Sequence, residues 1–348
     1  MANIFARSPY IIRIAESGQN GSKVELFLSA TTFSGTPQYT LSKLIPASNN
    51  VETLYDISSY IREYIDLIYP EPTQVAVTNP TYERVNVRVK RYKLVGATYT
   101  LLNTVDYIAF DGYTTYIDGY NYDLGNYGLD AGNYYYWADS PNGAGNIRVI
   151  GGASFTAKYT NLSTGTFSSL SISNGTYDIP TVLNANYFVG NKLEILAANG
   201  GLAATWNFYP KDECKYTPVI IDFVNRYGAW QREFFFKASN NTFSVENTEY
   251  NLMQKSDFYP FYYDLAKGQR QTFNVNGKSS IKVNTGWVDE SWNEILKQIM
   301  LSERILINES SPAKINSKST ELFKHINTKQ INYSLDFEFT YDVINSVI

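Results

Sequence analysis

The strongest constraint on this chain is a period-two alternation of apolar and polar residues that recurs from one end to the other. In residues 84–93, Val85, Val87 and Val89 alternate with Arg84, Asn86, Arg88 and Lys90. Near the C-terminus, Ile331, Tyr333, Leu335, Phe337 and Phe339 alternate with Asn332, Ser334, Asp336, Glu338 and Thr340. Successive side chains of a strand point to opposite faces, so each run predicts a strand with one buried and one wet face. Shorter runs lie at 23–29, 153–159 and 167–172. The pairs Asn20-Gly21, Asp111-Gly112, Asn142-Gly143, Asn174-Gly175 and Asn276-Gly277 punctuate the sequence. Asn, Asp and Gly tolerate the positive φ of tight turns, so each pair predicts a turn. Many short strands between turn signals predict a mainly β fold of two or three sandwich- or barrel-like domains, not βαβ units.

Two segments carry helical spacing instead. Ile57, Tyr60, Ile61, Tyr64, Ile65 and Ile68 recur at steps of three and four, with Asp56 as a cap and Pro70 past the end. Trp292, Ile295, Leu296, Ile299 and Met300 repeat the pattern, with Asp289 and Glu290 at the start. Each helix is expected to pack on a sheet face or plug one end of a sandwich.

Length and composition set the organisation. At 348 residues the chain has room for about two or three domains. Residues 1–105 are mixed in charge and hold the first helix. Residues 106–211 are poor in Lys and Arg and rich in Gly, Asn, Ser, Thr and Tyr. Residues 212–348 are again mixed in charge and hold the second helix. Aromatic residues reach 16% and charged residues only 18%, which excludes a disordered chain. The net charge of -4 argues against a basic nucleic-acid binder. The cluster Arg84, Arg88, Lys90, Arg91 and Lys93 therefore reads as a solvated strand face that discourages edge pairing, and sequence-specific nucleic-acid binding is not expected.

Catalytic and metal chemistry finds little material. Cys214 and His325 are the sole residues of their types. They can form neither an internal disulfide nor a Cys/His zinc site. No hydrolase elbow, phosphate loop or dinucleotide fingerprint is present. The chain is expected to be no enzyme and to hold no cofactor or metal. Its apolar runs are too short for a membrane span, and Arg13 interrupts the one apolar stretch near the N-terminus. Synthesis in the cytoplasm is expected.

Residues 107–137 stand out. Tyr107, Tyr113, Tyr116, Tyr120, Tyr122, Tyr127, Tyr134, Tyr135, Tyr136 and Trp137 are interleaved with Gly, Asn and Asp, without Lys or Arg. Tyr offers a large rigid contact surface with a polar tip. Tyr113 through Trp137 are the candidate interaction residues, in contact with neighbouring subunits or with glycan. Asp106, Asp111, Asp118, Asp123, Asp130 and Asp139 lack calcium-loop spacing and read as turn formers.

A resemblance adds context. The stretch Ile221-Asp222-Phe223-Val224-Asn225-Arg226-Tyr227-Gly228-Ala229-Trp230 carries it. So do Asn284-Thr285-Gly286-Trp287-Val288, the following helix 290–301, Ser302 to Ile307 and the closing strand 331–339. Together with Tyr55 to Tyr64, these segments resemble structural proteins of tailed bacteriophages infecting Bacteroidota. The resemblance is to tail, tail-vertex or baseplate-like components. It covers about half the chain and misses the tyrosine-rich middle. It implies a non-enzymatic virion subunit, made in the host cytoplasm, that contacts copies of itself in a symmetric ring and other tail or portal-vertex proteins. A host-receptor or glycan-binding tail protein is the alternative. A polysaccharide-degrading glycoside hydrolase, which would need a paired-carboxylate cleft, is the second.

Overall fold

A computed structural model describes residues 3–45, 52–140, 143–151, 154–252, 268–319 and 331–345. The first part contributes β1 (Asn3–Phe5), β2 (Ile11–Ala15), β3 (Gly21–Ser29), β4 (Tyr39–Leu44), β5 (Glu52–Asp56), α1 (Ser58–Arg62), β6 (Val77–Thr78), β7 (Arg84–Val95) and β8 (Thr98–Phe110). The middle adds β9 (Gly132–Trp137), β10 (Asn146–Gly151), β11 (Phe155–Asn161), β12 (Phe167–Ile172), β13 (Gly175–Pro180), β14 (Asn191–Leu196) and β15 (Leu202–Lys211). The last part holds β16 (Val219–Val224), β17 (Trp230–Phe235), β18 (Asn240–Asn251), β19 (Arg270–Val288), α2 (Trp292–Leu301), β20 (Ile305–Ile307), β21 (Ser311–Ile315) and β22 (Ile331–Phe339). The fold is mainly β with two helices, as the alternation predicts.

The strands form a five-stranded sheet β1-β8-β7-β3-β4, a β2-β5 pair, a three-stranded sheet β10-β13-β6, a five-stranded sheet β12-β11-β14-β15-β9 and a seven-stranded sheet β17-β16-β20-β21-β22-β19-β18. Most neighbours are antiparallel, but β1 runs parallel to β8 and β9 parallel to β15. The alternating residues land as their period requires. Val85, Val87 and Val89 are at most 1% exposed, and Leu335 and Phe337 are fully buried. Burying one such side chain stabilises the fold by about 1.5–3 kcal/mol.

One apolar cluster, containing Ile4, Val24, Leu26, Ile57, Ile61, Val87 and Val89, lies within the first part. A larger one runs from Leu129 to Phe337 and includes Tyr136, Trp206, Phe223, Phe235 and Leu296. The middle and last parts thus share one core across the compositional boundary near 212. Phe5, Ile108, Phe110 and Ile150 form a small cluster linking the first part to the middle.

The second helix forms as its spacing predicts. Trp292, Ile295, Leu296 and Ile299 are buried, and Trp292 packs edge-on against Phe235 at 5.5 Å. The first helix is shorter than its spacing predicts. Asp56 Oδ1 does accept the Ser58 N–H at 3.0 Å, but the helix stops at Arg62. Tertiary ties explain the stop. The Ile68 carbonyl accepts the Trp230 indole N–H at 3.1 Å, and the Tyr69 hydroxyl donates to Asp222 at 2.9 Å. Those bonds draw the chain to the seven-stranded sheet, and continued helix would carry it away.

Three predicted turns place their glycine in a strand instead. Gly175 opens β13. Gly21 opens β3, with its neighbours Lys43 and Leu94 packed so closely that a Cβ would touch them. Asn276-Gly277 lies within β19. Asp111-Gly112 makes a close backbone crossing: the Tyr113 N–H donates to the Arg226 carbonyl at 2.8 Å. A Cβ on Gly112 would lie 2.6 Å from that same carbonyl oxygen.

Candidate functional site

Strands β18 and β19 build a projecting two-stranded arm. They pair from Asn240↔Lys282 to Asn251↔Arg270, but β22 accompanies β19 only over Ser280–Val288. Residues 270–279 and their partners therefore extend past the rest of the sheet by roughly 30 Å, at about 3.3 Å per residue. Every residue of β18 is exposed. The strand is the outermost of its sheet, so the outward-facing backbone groups of its free edge have no strand partner among the described residues. Such an edge is a template for pairing with another chain unless Lys, Pro or a cover protects it. β18 contains neither Lys nor Pro.

The arm also carries apolar side chains into solvent. The face of β19 that buries Ile281 and Val283 in the core continues outward through Ser279 and Gly277 to Val275. Phe243 lies over Gly277, where an added Cβ would meet its ring at 2.4 Å. Val275, Phe243 and Val245 are 43%, 59% and 56% exposed. Beyond the register shift between Glu246 and Thr248, Tyr250 and Phe273 pack edge-on at 5.5 Å. Polar pairs brace the ladder, with Lys278 to Glu246 at 2.8 Å. The Val343 N–H donates to the Gly277 carbonyl at 2.9 Å, which fixes that residue along the arm's base.

The structure divides the tyrosine-rich segment. Tyr116, Tyr120 and Tyr122 are 102%, 66% and 47% exposed, and Ile117 stands out beside them. They sit on a loop held rigid from both ends. Thr115 and Asp118 form a capping box around the short 3-10 turn Tyr116–Asp118, and Asn121 pairs with the Ile11 backbone at 2.6 and 2.8 Å. Tyr113 is half-buried with the Arg7 guanidinium over its ring at 5.0 Å. Tyr127 packs edge-on against Trp206 at 5.5 Å, and the Tyr135 ring lies tilted at 30° to that of Tyr209, 5.8 Å away. Tyr134 and Tyr136 are core residues, 8% and 2% exposed, and Trp137 is partly buried against the same core. Of the aspartates read as turn formers, Asp118 and Asp123 bond to backbone N–H groups of their own turns. Asp106 instead lies within β8 and pairs with Arg88, while Asp111 pairs with the distant Arg62 and Asp130 accepts from Gln298 Nε2 at 2.8 Å.

Charged groups converge on a small cavity of about 30 Å³, lined by Tyr69, Glu83, Arg148, Asp178, Asp222 and Arg232 among others. Burial, with Asp178 nearby, pushes Glu83 up to about 8. Burial lowers Arg148 to about 10, against the pull of Glu83 and Asp178. The Arg148 guanidinium lies 3.7 Å over the Phe110 ring, and its Nε and Nη1 have no hydrogen-bond partner. Room for a water or two is all this space offers. A polysaccharide does not fit between these carboxylates.

Sequence reasoning missed the arm. The alternation Phe243/Val245 and Phe273/Val275 was there to find, but Asn276-Gly277 reads as a turn and hides the length of β19. His325, Asn142 and Ala153 lie outside the described residues. Cys214 is exposed and free. Among the described residues no group of three or more His, Cys, Asp or Glu could hold a metal ion, and no helix is long and apolar enough to cross a membrane.

No protein-family model matches this chain, and no curated protein matches it.

Proposed function

We propose that this chain is a structural subunit of a bacteriophage tail or tail vertex and that it acts by binding copies of itself. The observation that carries the reading is the projecting arm, an open strand edge with Phe243, Val245, Tyr250, Phe273 and Val275 held in solvent. A free two-stranded ribbon is marginally stable in water, so a feature of this length gains by packing on a neighbour. The rigid loop with Tyr116, Ile117 and Tyr120 supplies a second, different apolar surface. Contacts between two unlike patches run head to tail and close into rings when the rotation permits. The resemblance of the C-terminal segments to phage tail proteins supplies the setting. The chemistry is mechanical, with no bond made or broken.

The test is size-exclusion chromatography with light scattering. The full chain is expected to elute as a multiple of its 39.5 kDa mass. The double variant Phe243→Asp, Phe273→Asp is expected to elute as a folded monomer with an unchanged circular dichroism spectrum. A wild-type chain that stays monomeric at every soluble concentration overturns the assembly reading. Absence of the chain from purified particles overturns the tail assignment.

A further inference from the structure

We infer that the middle of the chain carries a binding site for a neutral sugar ring, independent of the arm. A depression of about 530 Å³ opens between the β9 end and the turn that precedes β14. That volume lies in the range of ligand-binding clefts. Gln74, Asp139, Ser140, Asn184, Tyr187 and Phe188 supply its chemistry.

Phe188 is the apolar platform. It is 74% exposed, and it stands at 83° to the Tyr187 ring with centroids 5.9 Å apart. Tyr187 is fixed in turn: its hydroxyl lies 3.2 Å from the carbonyls of Trp137 and Ser140. An exposed ring on a fixed support is prepared for stacking, and a pyranose presents a flat C–H face that fits it. Polar groups surround it. Ser140 is 5% exposed and lines the depression, with its side chain against the Tyr187 hydroxyl. Among the described residues Gln74, Asp139 and Asn184 make no side-chain hydrogen bond or ion pair, and they are exposed at the rim. Amide, carboxylate and hydroxyl groups around one aromatic face match a ring of hydroxyls on an apolar frame.

The lining also selects against other ligands. It holds a carboxylate, Asp139, and no Lys or Arg. Phosphate groups and acidic sugars meet repulsion there. A peptide in extended form needs a free strand edge, and none lines this depression. A neutral hexose unit of a glycan meets these conditions.

The experiment is saturation-transfer NMR on the full chain with methyl glycosides of glucose, galactose and mannose, and with glucuronate as the acidic control. The expected result is transfer to the C–H protons of one ring face for at least one neutral hexoside, and little to glucuronate. Phe188→Ala is expected to abolish the transfer, and Asp139→Ala to weaken it several-fold. Tyr116→Ala, on the separate loop, is expected to leave it unchanged. Phe188 and Asp139 are surface residues, and the amide proton spectrum checks that both variants fold. No transfer from any hexoside, transfer that survives Phe188→Ala, or glucuronate binding as strongly as hexosides overturns the inference. The oligomeric state plays no part in the readout, so its outcome is separate from that of the assembly test.

Discussion

Asp222 and Arg232 face each other across the antiparallel pair β16–β17 and are joined at two points, Nε to Oδ1 at 2.8 Å and Nη2 to Oδ2 at 3.1 Å. Both side chains are at most 3% exposed. Burial alone lowers the Arg232 pKa, but Asp222, with Tyr69 and Glu309, raises it above its ordinary value. Burial raises the Asp222 carboxyl above its ordinary value, against the pull of Arg232. The pair ties the connector at Tyr69 to the seven-stranded sheet.

Removing Asp222 takes away the main partner of the buried Arg232 charge and leaves it to Glu309. Asp222→Ala is expected to cost about 3–5 kcal/mol, read as a lower urea midpoint with an unchanged slope. Replacing both partners by apolar residues of similar volume is expected to cost less than the single change.

The two buried glutamates give a pH signature. Glu83 and Glu233 are both raised from 4.5 to about 8, mainly by burial. The folded protein therefore holds protons that the unfolded chain releases between these values. Their contribution to stability is full below pH 4.5, falls as the pH rises through the window and is gone above about 8. Glu83→Gln carries the neutral form permanently. It is expected to raise stability at pH 8 relative to the wild type and to flatten the decline, measured by denaturant unfolding at pH 5, 6.5 and 8.

The tyrosine-rich segment separates by substitution. Tyr136→Ala removes a ring that is 2% exposed and is expected to cost about 3–5 kcal/mol, as large-to-small core changes do. Tyr116→Ala and Tyr120→Ala touch solvent and are expected to stay within about 0.5 kcal/mol of the wild type. Thermal melts of the three variants check this.

A head-to-tail contact predicts complementation. An arm variant (Phe243→Asp, Phe273→Asp) and a loop variant (Ile117→Asp, Tyr120→Asp) are each expected to be monomeric alone. Mixed, they retain one intact arm and one intact loop between them and are expected to form a dimer and nothing larger. A mixture that stays monomeric places the arm's partner elsewhere than the loop.

The sequence made the strands legible wherever one face is buried, because burial enforces the alternation. Val85 to Val89 and Ile331 to Phe337 are the clearest cases. Second-helix spacing survived for the same reason: its apolar face meets the core. First-helix spacing was overruled by contacts with Trp230 and Asp222, more than 150 residues away, which no local pattern encodes. Tyr134 and Tyr116 look alike in sequence, yet one fills a core and the other stands in water. Their difference depends on the parallel pairing of β9 with β15, again a long-range event. The depression beside Phe188 has the same origin, since Gln74, Asp139 and Phe188 meet only in the finished fold.

The shared cluster from Leu129 to Phe337 places a demand on the ribosome. Translation at about 5–20 residues per second leaves the first of these side chains waiting roughly 10–40 s for the last. For that interval the nascent polypeptide displays half-finished sheets with greasy faces. A messenger truncated before β22 is therefore expected to yield aggregate rather than a smaller working piece.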